Sequence, residues 1–142
     1  LENQIIMDQA LIILIVATIV LWGFMVFLPK LALSELSPLS AIIYEICGGL
    51  TVALFVLFFI GGRPEFNLRG AALAYSVGIC GFLGTLTYFY AITKGPVSTV
   101  ATMTAMYPVV AIICGVFFLN ESLTLKQIIG IGLSLFGLLL LV

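Results

Sequence analysis

One carboxylate lies where a carboxylate has to be justified. Glu45 sits inside a long apolar run, seven residues after Pro38, which is about 10 Å along a helix at ~1.5 Å per residue. A charge at the centre of a membrane helix costs roughly 2.5–3.5 kcal/mol on insertion scales, and a glutamate is too short to reach far towards the headgroups. Two kinds of chemistry fit. Either the carboxyl couples the movement of a proton or cation, or anchors a substrate in a wet cavity; or it makes a helix–helix hydrogen bond, or pairs with Lys30 or Lys94 near the same membrane face.

Other polar and aromatic side chains fall at helical spacing. Tyr44, Cys47 and Thr51 share one face with each other, as do Thr18, Trp22 and Met25 in the first apolar run. Trp22 lies near the end of that run and also suits an interfacial aromatic belt. In the fourth run Ser98, Thr102 and Ala105 share a face, and Tyr107-Pro108 falls close to midplane. Proline there removes one backbone hydrogen bond and kinks the helix. Broken helices at that depth recur at transporter binding sites, although packing alone also accounts for a kink.

Chemistry of other kinds finds no residues. The chain has no histidine, and Asp8 is its single aspartate. Gly-x-Ser-x-Gly and the phosphate-cradling Gly-Lys-Ser/Thr loop are missing. Cys47, Cys80 and Cys114 lie inside apolar runs, where an odd number of thiols acts as small apolar filler. The expectation is a non-enzyme with neither cofactor nor metal.

The elements that position these residues follow from hydropathy. With 63% hydrophobic and 8% charged residues and a mean hydropathy of +1.36, no water-facing surface can be built. Five runs near residues 10–28, 39–60, 71–91, 97–119 and 125–142 approach the ~20 residues that a helix needs to cross the bilayer. Lipid-exposed strands would alternate apolar and polar residues, and these runs do not. The fold class is therefore an all-α membrane protein, a five-transmembrane-helix bundle forming a single domain over residues 1–142. Met7 reads as a native start, with residues 1–6 a vector remnant. The first run lacks a basic leader and a small-residue cleavage site, so it is expected to be a retained helix. A formal charge of −1 argues against nucleic-acid binding, and singly scattered Lys and Arg argue against a lipid-headgroup patch.

Boundary signals agree with these spans. Ser37-Pro38 fits an N-cap followed by proline at the first helical position. Asn67 can cap the third span after Gly61-Gly62-Arg63-Pro64, and Gly95-Pro96 breaks the chain before the fourth. Thr124 and Gln127 fit a capping box. Short gaps imply antiparallel neighbours. Gly70, Ala74, Gly78, Gly81 and Gly84 form one strip of small residues, and Gly130, Ser134 and Gly137 another. Such strips suit packing within the bundle or, on the last helix, a dimer seam.

Orientation is weakly specified. Arg63, Arg69 and Lys126 fall on one side, and Lys30 and Lys94 on the other. Basic residues set topology, and three against two is almost no instruction. The expectation is insertion in both orientations, or an orientation taken from a partner.

Several stretches together resemble EamA-type domains of the drug/metabolite transporter superfamily. Ala91 to Ala101 with Tyr107-Pro108-Val109 is similar to that family's penultimate helix, and Phe118 to Gly130 with Gly137 to its last hairpin and helix. Trp22-Gly23, Lys30 and Ser37-Pro38 match its first hairpin. The resemblance implies half of an inverted-repeat transporter, since most members carry two five-helix halves around a cavity formed mainly by the first four helices of each. It implies a multi-pass protein of the cell (inner) membrane that moves a small-molecule substrate. Its partner would be a second copy in an antiparallel homodimer, or another five-helix chain in a heterodimer. Trp22, Tyr44, Thr102 and Tyr107 are then cavity candidates, Pro108 the helix kink, and Glu121 with Thr124 a structural hairpin. Many members carry an arginine near the position of Tyr44-Glu45. The reversed charge suits cationic or zwitterionic substrates, or proton coupling, better than anions. An accessory subunit of a membrane complex is the alternative.

Overall fold

A computed structural model describes the backbone of residues 2–140, with side chains from Gln9 onwards except Leu138. Leu1, at the head of the expected vector remnant, and Leu141 and Val142, at the end of the fifth expected span, lie outside the described residues. All regular structure among the described residues is helical: α1 (Glu2–Ala32), α2 (Pro38–Phe59), α3 (Leu68–Lys94), α4 (Val97–Thr104), α5 (Tyr107–Leu119) and α6 (Leu125–Leu139). Four stretches are long and apolar enough to cross a membrane: Gln9–Ala32, Pro38–Phe59, Leu68–Lys94 and Val97–Leu119. The fifth, α6, is apolar and has 15 residues, about 22 Å at helical rise. The protein is an all-helical, multi-pass membrane protein with the five-helix pattern.

The chain divides into two compact units, the first reaching Thr93 and the second beginning at Lys94. In the first, local chemistry sets the helix ends. Ser37 accepts from the Ser40 N–H at 3.3 Å, with Pro38 at the first helical position, and Asn67 Oδ1 accepts from the Gly70 N–H at 3.0 Å. Each replaces one donor bond that a helix start lacks. Between α2 and α3 the chain reverses through Gly61 (φ 68°) and Gly62 (φ 73°), a left-handed conformation that glycine adopts without a Cβ penalty.

α1 and α3 run parallel and are tied at two levels. The Tyr88 hydroxyl donates to the Val26 carbonyl at 2.8 Å, and four residues later Lys30 Nζ donates to the Ile92 carbonyl at 2.8 Å. The second bond places a cation on the C-terminal turn of α3, where the helix dipole favours it. α2 runs antiparallel to α3. Its close approach is at Gly49, where a Cβ would stand 3.4 Å from the Phe82 ring. Ala41, Ile42 and Phe89 form the buried core, with Leu33, Phe82, Leu86 and Tyr88 packed on it; Ile92 is wholly enclosed. Most other apolar side chains face outward. That is the arrangement expected of helices whose solvent is lipid.

In the second unit the fourth span is interrupted, not merely kinked. α4 ends at Thr104, Ala105 and Met106 form a turn, and Tyr107-Pro108 opens α5. Proline lacks an N–H and its ring collides with the carbonyl four residues back, so it sits most easily at a helix start. α5 ends at Asn120 in the left-handed region (φ 52°), a common C-terminal conformation for asparagine. Thr124 and Gln127 form a reciprocal cap on α6: the Thr124 N–H donates to Gln127 Oε1 at 2.8 Å and the Gln127 N–H to Thr124 Oγ1 at 3.4 Å.

The small-residue strips do not close these helices on one another. Within either unit, a Cβ at Gly78, Gly81, Gly84, Gly130 or Gly137 would meet nothing within 4 Å. Bulkier contacts hold each unit together, and the strips lie open.

Candidate functional site

Glu45 is on α2, one turn beyond the buried Ala41 and Ile42. The antiparallel register of α2 and α3 brings Thr85 opposite it, and the buried Thr85 hydroxyl donates to the Glu45 carboxyl. The other carboxyl oxygen, Oε2, is buried and has no hydrogen-bond partner among the described residues. The bond from Thr85 therefore falls on Oε1. A buried acceptor left without a donor is costly and is rarely left so in a finished structure.

Beside Glu45 lies a cavity of about 270 Å³, walled by α1, α2 and α3. Its lining includes Tyr44, Met25, Leu28, Pro29, Ala41 and Phe89. Pro29 lies inside α1 and is buried. Having no N–H, it leaves the Met25 carbonyl without its helical donor. The site thus combines an apolar wall and one carboxyl.

The sequence candidates distribute as follows. Tyr44 and Glu45 share this cavity. Trp22 is on α1, three residues before the lining residue Met25, and is about half exposed. Thr102, Tyr107 and Pro108 belong to the second unit. The Thr102 hydroxyl donates to the Ser98 carbonyl at 2.6 Å, and Tyr107 is exposed at the start of α5. Pro108 lines a groove of about 520 Å³ between α5 and α6, together with Ala105, Ile112, Gln127, Gly130 and Ser134. Glu121 packs on the hairpin: its N–H donates to the Gly115 carbonyl at 3.2 Å, and its Oε2 stands 2.8 Å from where a Gly115 Cβ would be. Thr124 caps the next helix.

Two site residues escape a reading of the sequence alone. Thr85 looks like any of the hydroxyl residues scattered through apolar helices, and only the α2–α3 register pairs it with Glu45. Pro29 had a usable signal, a proline one residue past the end of the first apolar run, but its role depends on which helix faces it.

Apolar helices long enough to cross a bilayer, with a carboxyl and an adjoining cavity among them, describe a polytopic membrane protein with a candidate site. The chain belongs to the EamA-like transporter family, whose model matches residues 9–142, and so to the drug/metabolite transporter superfamily. This is a family of membrane transporters of small solutes, not of enzymes. Among its relatives, the uncharacterized protein MJ1333.1 of Methanocaldococcus jannaschii is 31% identical over 136 residues, covering 95% of this chain and 97% of its own. The uncharacterized transporter YyaM of Bacillus subtilis is 30% identical over 133 residues, covering 87% of this chain and 43% of its own. No solved structure matches the chain.

Proposed function

We propose that this chain is one half of a secondary transporter in the cell membrane, moving a small organic metabolite or drug-like solute by alternating access. The observation that carries the reading is Glu45: a carboxyl inside the bilayer, beside a cavity, with one oxygen buried and unpartnered. Ionisable groups at that depth are expensive and typically mark substrate or ion pathways. Exchange of a proton and a solute at one carboxyl would supply the differential contacts that alternate states require.

The working unit is an antiparallel pair, built from two copies or from this chain and another five-helix chain. The near-even distribution of basic residues across the loops supports it. So does the length of the Bacillus relative, of which this chain spans 43%. The open glycine strips offer close-packing surface to a partner helix.

The Glu45–Thr85 bond favours a second reading, in which Glu45 only holds α2 to α3 in a non-transporting accessory subunit. The discriminating test compares solutes inside and outside cells expressing the wild type or Glu45→Gln at equal membrane abundance. A solute redistributed by the wild type alone, with assembly preserved in the variant, supports the coupling role. Loss of assembly in Glu45→Gln, with no solute moved by either protein, favours the accessory subunit.

A further inference from the structure

The loop between α2 and α3 carries donors that nothing in its unit accepts, beside apolar side chains that nothing in its unit covers. Arg63, Pro64, Glu65, Phe66 and Asn67 follow the Gly61-Gly62 reversal without regular structure. The N–H groups of Arg63, Glu65 and Phe66 make no hydrogen bond among the described residues, and neither do the guanidinium groups of Arg63 and Arg69. Arg69 stands in the first turn of α3, the end where the helix dipole disfavours a cation, so the helix itself gives no reason for it. Phe66 is 81% exposed and Leu68 76%. Both ends of the loop continue into membrane spans, Pro38–Phe59 and Leu68–Lys94. The loop therefore lies where headgroups meet hydrocarbon, and guanidinium groups beside a phenyl ring suit phosphate on one side and acyl carbon on the other.

We propose that this loop is a phospholipid-binding surface, on which Arg63 and Arg69 hold headgroup phosphate while Phe66 and Leu68 enter the acyl region beneath. The inference goes beyond the transporter reading and does not depend on it. The partner is the phosphodiester itself and not an acidic headgroup. Glu65 offsets one of the two positive charges, and two arginines fall short of the ~4–8 basic residues of an anionic-lipid patch. The paired donors of a guanidinium match phosphate oxygens, which phosphatidylcholine offers as well as phosphatidylglycerol does. Phosphodiesters line both faces of a phospholipid bilayer, so the surface holds its loop in whichever leaflet it reaches.

The test is native mass spectrometry of the full chain, titrated in detergent micelles with phosphatidylcholine, phosphatidylglycerol or digalactosyldiacylglycerol carrying the same acyl chains. The galactolipid keeps the hydrocarbon and lacks the phosphate. The wild type should bind each phospholipid at least about threefold more tightly than the galactolipid, the size expected of two exposed charge-assisted contacts. Arg63→Gln/Arg69→Gln should erase that margin and leave galactolipid binding unchanged. The comparison of lipids on the wild type stands even where the double variant fails to fold. In a Trp22→Phe protein, which lacks the one native tryptophan, a Phe66→Trp reporter should be quenched by lipids brominated on their upper acyl carbons and shielded from aqueous iodide. Equal binding of the galactolipid overturns the proposal, as does a margin retained in the folded double variant, or a reporter quenched by iodide and not by bromine. Two further results also overturn it. Phosphatidylglycerol favoured about tenfold over phosphatidylcholine would mean attraction to acidic lipid instead, and displacement of bound lipid by equimolar glycerophosphocholine would mean a site for soluble phosphodiesters.

Discussion

The Glu45–Thr85 contact can be weighed by a double-mutant cycle. Thr85→Val keeps the shape of a buried side chain and deletes the hydroxyl that donates to Glu45. Glu45→Leu removes the acceptor, and the double variant removes both. Interhelical hydrogen bonds in membranes average only about 0.6 kcal/mol and reach about 1.7 kcal/mol, since the unfolded state within the bilayer also finds partners. This one lies in the upper part of that range: its acceptor is a carboxyl and its donor is buried. Thr85→Val also strips the carboxyl of the one bond described for it, leaving two bare oxygens where there was one. A coupling of about 1–1.7 kcal/mol is expected, a five- to twentyfold effect on the unfolding equilibrium. The assay is unfolding of the four proteins in mixed dodecyl maltoside–dodecyl sulfate micelles, followed by loss of helical circular dichroism. Removing both partners should be closer to neutral than removing Thr85 alone, because a lone buried acceptor is the costly state. Additivity within about 0.3 kcal/mol, the behaviour of independent sites, would refute the argument that this bond holds Glu45 in place.

Three further outcomes complete the set. Glu45→Gln should abolish solute redistribution while leaving membrane abundance and assembly intact, as measured in the cell assay above. Gly115→Ala should destabilise the α5–α6 hairpin, because the new Cβ collides with Glu121 Oε2 at 2.8 Å; in a Glu121→Ala background the same change should stabilise by about 1 kcal/mol through helix propensity, read in the same micelle assay. With Cys47, Cys80 and Cys114 replaced by alanine, single cysteines at Ser34 or Glu65, in the two loops of the first unit, should label from both sides of the membrane; one clean orientation would rule out dual insertion.

The helix ends were legible because their chemistry is local. Ser37-Pro38, Asn67 and the Thr124–Gln127 pair each act within three residues, so spacing in the chain is spacing in space. Glu45 was legible for a different reason: one charge in an apolar run stands out against its solvent. Thr85 was not, since its meaning comes from a helix 40 positions away in the chain, and threonine in lipid is unremarked until a register is known. Pro108 announced a disturbance, but the break falls at Ala105 and Met106, just before it. Pro108 has no N–H to give the Thr104 carbonyl and its ring collides with that carbonyl, so α4 ends there and the proline falls in the first turn of α5. Small side chains permit close approach without requiring it, and within each unit the strip glycines Gly78, Gly81, Gly84, Gly130 and Gly137 lie away from the helix contacts.

The two ties between α1 and α3 share an asymmetry. Tyr88 and Lys30 each give a side-chain proton to a main-chain oxygen, at Val26 and Ile92. A peptide carbonyl is the same whatever residue carries it, so each contact is written into the sequence on one side alone. The half-buried Val26 can drift among residues of similar bulk without disturbing the bond made to it, while Tyr88 has no such freedom. Two positions in contact would then leave no matched pair of changes, and pairwise covariation would be blind to the joint that holds these helices together.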